Sequence, residues 1–415
     1  MRGNFSQFLA AAKGMAILVA MAVAVGSASA FFLWALDGVT ILRFGNPWLL
    51  YFLPVAGLLV GWLYQIYGKN AAGGSNLLID EIHQPGAGVP RRLAPLVLFG
   101  TLMTHLCGGS AGREGTALQM GGGIAAGFAR LFKMDAAGVR LLLMAGVAAG
   151  FGSVFGTPIA GAVFALEVLV IGRIQYDALI PCFIAALVAD WTCDAWGIHH
   201  THYTVAGAGL HLEPWLLGKV ILAAVAFGLA SLLFSESSHR LDAAFKRFIP
   251  RAELRPVVGG LMVIGLVFLA GSDYLGLGVL GNGANAVTLP AMFQSTEVPP
   301  SAWIWKFIFT VVTLSAGFKG GEVTPLFFIG AALGNALAQI LGAPLDLFAA
   351  IGFIALFAGA SNTPIASTLL GMELFGASNG VYLATACLVA YRFSGHSGIY
   401  SAQRLAMPKS RPRAS

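Results

Sequence analysis

The chain has 415 residues, of which 57% are hydrophobic and 10% are Asp, Glu, Lys or Arg, with a formal net charge of +6 and a mean hydropathy of +0.80. Soluble domains carry about 25% charged residues, so a soluble fold of this length would lack a polar coat and is excluded. The positive charge is not a nucleic-acid signal, because 11 of the 24 Lys and Arg sit at the chain ends and in one linker, where membrane topology wants them.

Arg2 and Lys13 precede an apolar run over Gly14–Leu36, which is too long for a signal-peptide core and ends without an obvious small-residue cleavage motif, and so reads as a retained helix. Trp48–Tyr67 is a second run of spanning length, followed at 73–76 by Gly-Gly-Ser-Asn. Leu216–Phe234 and Val257–Ala270 are two more. Other apolar segments are short and broken by Gly or Pro: Thr116–Phe132, Pro158–Val170, Pro325–Leu341 and Pro364–Phe375. Lipid cannot satisfy the ends of such half-length helices, so neighbouring helices or an aqueous cavity must cover them. With 54 glycines, the pattern predicts an all-α polytopic membrane protein of closely packed, discontinuous helices.

Charge gives the expected orientation. Arg240, Lys246, Arg247, Arg251 and Arg255 lie in one polar linker, and Arg404, Lys409, Arg411 and Arg413 fill the tail. Asp194–Glu213 and Gly271–Trp303 contain no Lys or Arg. The positive-inside rule puts both termini and the 235–256 linker in the cytoplasm, and the two uncharged-by-Lys/Arg loops outside. The four cysteines, Cys107, Cys182, Cys193 and Cys387, have no ligand spacing and read as small buried hydrophobes. His199, His200, His202 and His211 share one external loop, where a metal site is the lesser reading, and His105 in an apolar span reads as structural. No cofactor is expected.

The chain also repeats itself. Gly-Thr-Pro-Ile-Ala at 156–160 returns as Asn-Thr-Pro-Ile-Ala at 362–366, and Glu167 and Glu373 keep the same offset of 206 residues. Gly112-Arg-Glu-Gly-Thr116 echoes Gly320-Gly-Glu-Val-Thr324, with Glu114 and Glu322 offset by 208. Matched blocks in one order and at nearly one offset indicate a duplication. The expected plan is a cytoplasmic N-terminus over 1–13, a first repeat over 14–195, a second over 214–395, and 396–415 as a final helix with a short basic tail. The first repeat starts inside and the second outside, so their topologies are inverted.

Glu114, Glu167, Glu322 and Glu373 lie in apolar surroundings. A charged group there costs about 2.5–3.5 kcal/mol or more unless it is paired, protonated or hydrated. Glu114, between Gly112 and Gly115 at a short helix start, is the sharpest candidate: exposed amides there suit an anion or its own carboxylate. When charged it fills the anion's place, and when protonated it leaves. Ser75 and Asn76 are either a helix cap or an anion contact. Glu322 and Thr324 are either a helix start, with Pro325 at the first helical position, or part of the site. Tyr400 is either an anion ligand or an interfacial aromatic. Glu167 and Glu373, near helix C-ends, suit structural hydrogen bonds.

Gly-Arg-Glu-Gly at 112–115 resembles the gating-glutamate motif of the CLC chloride channel/transporter family, which usually continues with Pro where this chain has Thr116. Gly-Gly-Ser-Asn at 73–76 resembles its central-serine loop, and Gly-Gly-Glu-Val-Thr-Pro at 320–325 resembles its Gly-Gly-x-Phe-x-Pro motif. Ser-Gly-Ile-Tyr-Ser at 397–401 looks like the start of the last helix, with its central tyrosine. The departures point to one branch. Asn76-Leu77-Leu78 replaces Gly-Ile-Pro, and Val168 stands where chloride–proton exchangers carry a second glutamate.

Together these features resemble the fluoride–proton antiporter branch. The resemblance implies a bacterial inner (plasma) membrane protein and a homodimer with one pathway per subunit. It implies fluoride and protons as transported ions, Glu114 as gate, and an anion site drawn from Ser75, Asn76, Gly112, Arg113, Gly115, Thr116, Glu322, Val323, Thr324 and Tyr400. Chloride–proton exchange or a passive anion channel of the same fold is the alternative. An enzyme is not expected, since neither His-Glu-x-x-His nor paired aspartates occur.

Overall fold

The computed structural model describes residues 2–86, 88–200, 203, 205–206, 212–281 and 286–409. His202, His211, Arg411 and Arg413 lie outside the described residues. In chain order the helices are α1 (Arg2–Gly45), α2 (Leu53–Leu63), α3 (Gly74–His83), α4 (Leu93–Leu106), α5 (Glu114–Leu131), α6 (Ala136–Phe155), α7 (Pro158–Glu167) and α8 (Leu179–Ala195). There follow α9 (Pro214–Phe248), α10 (Arg255–Ala270), α11 (Ala302–Ser315), α12 (Val323–Leu341), α13 (Leu345–Ser361), α14 (Pro364–Phe375) and α15 (Gly380–Phe393). Among the described residues, seven helical stretches are long and apolar enough to cross a membrane, while α4, α7, α11, α13 and α14 are apolar but shorter. The architecture is the all-helical, polytopic membrane fold expected, with one addition: β1 (Val170–Ile171) and β2 (Arg404–Leu405) pair in parallel.

Local chemistry explains the repeated Thr-Pro motif. Gly156 ends α6 and Asn362 ends α13, both in the left-handed region at φ +69° and +61°. Glycine and asparagine tolerate that conformation best. Thr157 and Thr363 then turn the chain out at φ −135° and −125°, and Pro158 and Pro364 open α7 and α14 at a position that needs no N–H. The motif is a helix–corner–helix joint, present once in each half.

Within each half, one helix pair is packed through glycine. A Cβ placed on Gly121 of α5 would lie 2.1 Å from the carbonyl oxygen of Gly146 in α6, and one on Gly330 of α12 would lie 2.0 Å from that of Gly352 in α13. Backbones this close leave room for no side chain, which is how helices associate where lipid supplies no hydrophobic drive. α12 and α13 are almost wholly buried and carry the aromatic core, with Phe327 stacked on Phe353 at 3.9 Å.

Three expectations are corrected. The polar linker over 235–256 is largely helical, because α9 runs on to Phe248, supported by Glu236–Arg240 and Asp242–Lys246 pairs one turn apart. Pro325 is the third residue of α12, not the first. The final helix expected from 397 does not form: residues after Phe393 are irregular until β2, held by side chains rather than by their own backbone ladder. Gln403 donates to the carbonyls of Val168 and Ser361, and the Ala402 amide donates to Asn76 Oδ1.

Candidate functional site

The N-termini of two helices meet head to head at the site. Gly112 donates to the Gly321 carbonyl at 2.6 Å and Gly321 donates back to Gly112 at 2.8 Å, so the segments before α5 and α12 form a reciprocal bridge. This bridge brings the N-termini of both helices, with their free amides, to one place. The two segments sit so close that a Cβ on Gly112 would lie 2.9 Å from both the Gly321 oxygen and Glu114 Oε2.

Glu114 occupies the meeting point and is fully buried. Its Oε2 accepts from the amides of Thr324 at 3.0 Å and Arg113 at 3.2 Å. The Thr324 hydroxyl lies 2.6 Å from both carboxylate oxygens, and Arg113 Nε stands 3.5 Å from Oε1. The carboxylate therefore sits where an anion would sit, ringed by amide, hydroxyl and guanidinium donors.

Cavities lie on either side of this seat. A vestibule of about 800 Å³ is lined by Ser238, His239, Asp242, Lys246 and Arg255 from the linker region. It adjoins an inner chamber of about 150 Å³ lined by Ser75, Asn76, Gln119, Glu322 and Tyr400. Opposite, a small pocket of about 20 Å³ is lined by Arg113, Glu114, His200, Tyr203 and Thr324. Gly320 and Glu322 face the chamber while Thr324 faces the pocket, so the backbone of 320–324 is the partition.

The predicted residues divide accordingly. Glu114, Gly112, Arg113, Gly115, Val323 and Thr324 meet at the junction. Ser75, Asn76, Glu322 and Tyr400 meet in the chamber. Tyr400 is only 4% exposed, stands edge-on to Phe164, and its hydroxyl has no hydrogen-bond partner among the described residues. Ser75 accepts from Gln119 at 3.5 Å, and neither it nor Asn76 caps α3, whose cap residue Gly73 makes no side-chain bond. Thr116 stands apart: its hydroxyl meets Thr101 of α4 at 2.6 Å, not the carboxylate. In the position that Pro usually fills, Thr116 fastens α5 to α4.

Glu167 and Glu373 are structural partners of each other's half. Glu167, the last residue of α7, accepts from the amides of Ile365 and Ala366 at the start of α14. Glu373 of α14 accepts from Ile159 and Ala160 at the start of α7. Each carboxylate caps the other's helix.

Sequence reasoning missed Lys319, which lines both vestibule and chamber with its ammonium 4.2 Å from the Tyr64 ring centre. The signal was present. An ionisable residue in an apolar region is a candidate whatever its sign. His105 is buried, but neither ring nitrogen has a hydrogen-bond partner among the described residues, unlike the satisfied structural histidine expected.

Residues 56–395 match the family described as voltage gated chloride channel. A protein of Pseudomonas syringae pv. tomato named chloride/fluoride channel protein is 49% identical, the match covering 96% of this chain and 88% of that one. Among solved structures, a CLC-type fluoride/proton antiporter superposes with a TM-score of 0.90 at 35% identity, covering 96% of this chain and 99% of that one. A slow cyanobacterial chloride/proton antiporter has the same fold, with a TM-score of 0.80 at 19% identity, covering 94% and 96%.

Proposed function

This chain belongs to the voltage gated chloride channel family, and we propose that it exports fluoride in exchange for protons, with Glu114 as the gate. The observation that carries this reading is the seat of the Glu114 carboxylate among the amides and hydroxyl that an anion would use. Charged, the side chain occupies that seat. Protonated, it loses the attraction of the amides and Arg113, and an anion replaces it. One group thus alternates between carrying a proton and yielding to fluoride.

The relatives support the ion. The Pseudomonas protein carries fluoride in its name, and the 35%-identical structure is a fluoride/proton antiporter. The donor set supports it too. Fluoride is small and strongly hydrated, so close hydroxyl and amide donors must replace its water, and Ser75, Thr324 and Tyr400 each present one hydroxyl. Chloride is larger and fits such a set badly.

The two halves act as inverted repeats over 14–195 and 214–395, with the linker side of the vestibule facing the cytoplasm of a bacterial inner membrane. Two copies assemble as a dimer, each with its own path. Flux from liposomes holding fluoride and chloride side by side, with proton movement recorded, tests the reading. Fluoride-selective, proton-coupled efflux is expected. Equal passage of both halides overturns the fluoride assignment, and fluoride flow without protons makes the protein a channel.

A further inference from the structure

Vestibule and chamber share a neck lined by Tyr64, Asn76, Phe318, Lys319, Glu322 and Ile399. Lys319 and Glu322 are the charged residues lining the chamber among those described, and they do not form an ion pair. The Lys319 stem is clamped: a Cβ on Gly100 of α4 would lie 2.8 Å from its Cγ. The ammonium stands over the Tyr64 ring and makes no hydrogen bond or ion pair among the described residues. Tyr64 is 8% exposed, and its hydroxyl is buried without a hydrogen-bond partner.

Lys319 and Tyr64, whose ammonium and hydroxyl have no hydrogen-bond partner among the described residues, therefore line the same passage. A ring face holds the ammonium through its quadrupole and leaves all three N–H donors for something else. A single anion in the neck accepts from both groups. An ammonium is a compact point charge, which suits a small spherical anion better than the flat fork of a guanidinium does.

We propose that Lys319 and Tyr64 form an anion-holding subsite at the neck, where fluoride from the linker side is gathered before it reaches Ser75 and Tyr400. The inference rests on reading the cavities as an anion path. It adds a cationic station that the gating glutamate does not supply.

The test uses full-length protein as wild type, Lys319→Met, Lys319→Arg and Tyr64→Phe. Two quantities are read: the vestibule-side fluoride concentration giving half-maximal efflux, and the concentration giving half-maximal thermal stabilisation in detergent. Lys319→Met should raise both about tenfold, as loss of a charged donor does, and Tyr64→Phe about fivefold. Lys319→Arg should fall between wild type and Lys319→Met. The proton-to-fluoride ratio should hold, because Glu114 is untouched. Values within twofold of wild type in both Lys319→Met and Tyr64→Phe overturn the subsite. If Lys319→Met does not fold, an unchanged Tyr64→Phe together with an unchanged Lys319→Arg overturns it. If wild type carries chloride instead, the fluoride reading falls, and the same shifts measured with chloride uphold or overturn the subsite by themselves.

Discussion

Thr324 holds the Glu114 carboxylate with two groups at once, its amide at 3.0 Å and its hydroxyl at 2.6 Å. The acid belongs to α5 but is held by the first turn of α12, so it bridges both halves. Glu114→Gln nearly keeps the shape and cannot release a proton. Coupled proton movement is expected to vanish while the protein stays folded. Proton-driven fluoride export at the wild-type rate from liposomes of this variant removes Glu114 as the gate.

Thr324→Val deletes the hydroxyl at nearly constant volume and leaves the amide in place. A hydrogen bond to a charged group contributes about 1.5–3 kcal/mol. The hydroxyl serves the carboxylate and the anion in turn, so fluoride flux is expected to fall about tenfold or more. An unchanged flux means the hydroxyl never touches the ion.

Asn76→Gly with Leu78→Pro restores the loop usual among chloride transporters and should lower the fluoride-to-chloride ratio. The change also has a structural cost. Asn76 Oδ1 accepts from Ala402, and Leu78 is buried against Gly122. Removing a buried leucine side chain costs about 2–5 kcal/mol, so a lower melting temperature is expected too. The halide ratio is the deciding measurement. If it is unchanged in a folded double variant, this loop does not set selectivity.

Glu167→Ala strands the amides of Ile365 and Ala366, and should cost about 2 kcal/mol or more. Glu373 is more exposed, so Glu373→Ala should cost less. Neither carboxylate lines the cavities described, and the proton-to-fluoride ratio should survive in both. Melting temperatures in detergent, with Glu167→Gln as the milder control, check the ranking. A lost ratio at unchanged stability reverses this assignment.

Val168 is buried and lines a tight apolar pocket of about 20 Å³ with Phe164 and Tyr400. Val168→Glu brings an unpaired acid into that space. It is expected to lower stability without improving coupling. A higher proton-to-fluoride ratio in this variant means that a second internal acid was needed after all.

Much of this was legible in the sequence because the signals are short-range. Gly156-Thr-Pro and Asn362-Thr-Pro state their own corner geometry, and the acids announce themselves against an apolar background. The end of α9 was not legible from hydropathy, since Ser235–Phe248 is polar and helical through pairs one turn apart. The missing final helix was hidden too, because Gln403, Ala402 and Asn76 meet across more than 320 residues of chain for the last pair. The same holds for the site. Glu114 could be singled out, but Thr116 bonding to Thr101, and Lys319 standing over Tyr64, are encounters between separate elements that spacing does not encode.

The crossed capping of α7 and α14 bears on how the chain is made. When the first half leaves the ribosome, Glu167 is already in place, but the amides it caps are almost two hundred residues away in unmade polypeptide. Until α14 is made, that carboxylate and the start of α7 lack these partners. Insertion of the second half therefore completes the first, and a chain halted before Pro364 is left with a defect in its earlier, fully synthesised portion.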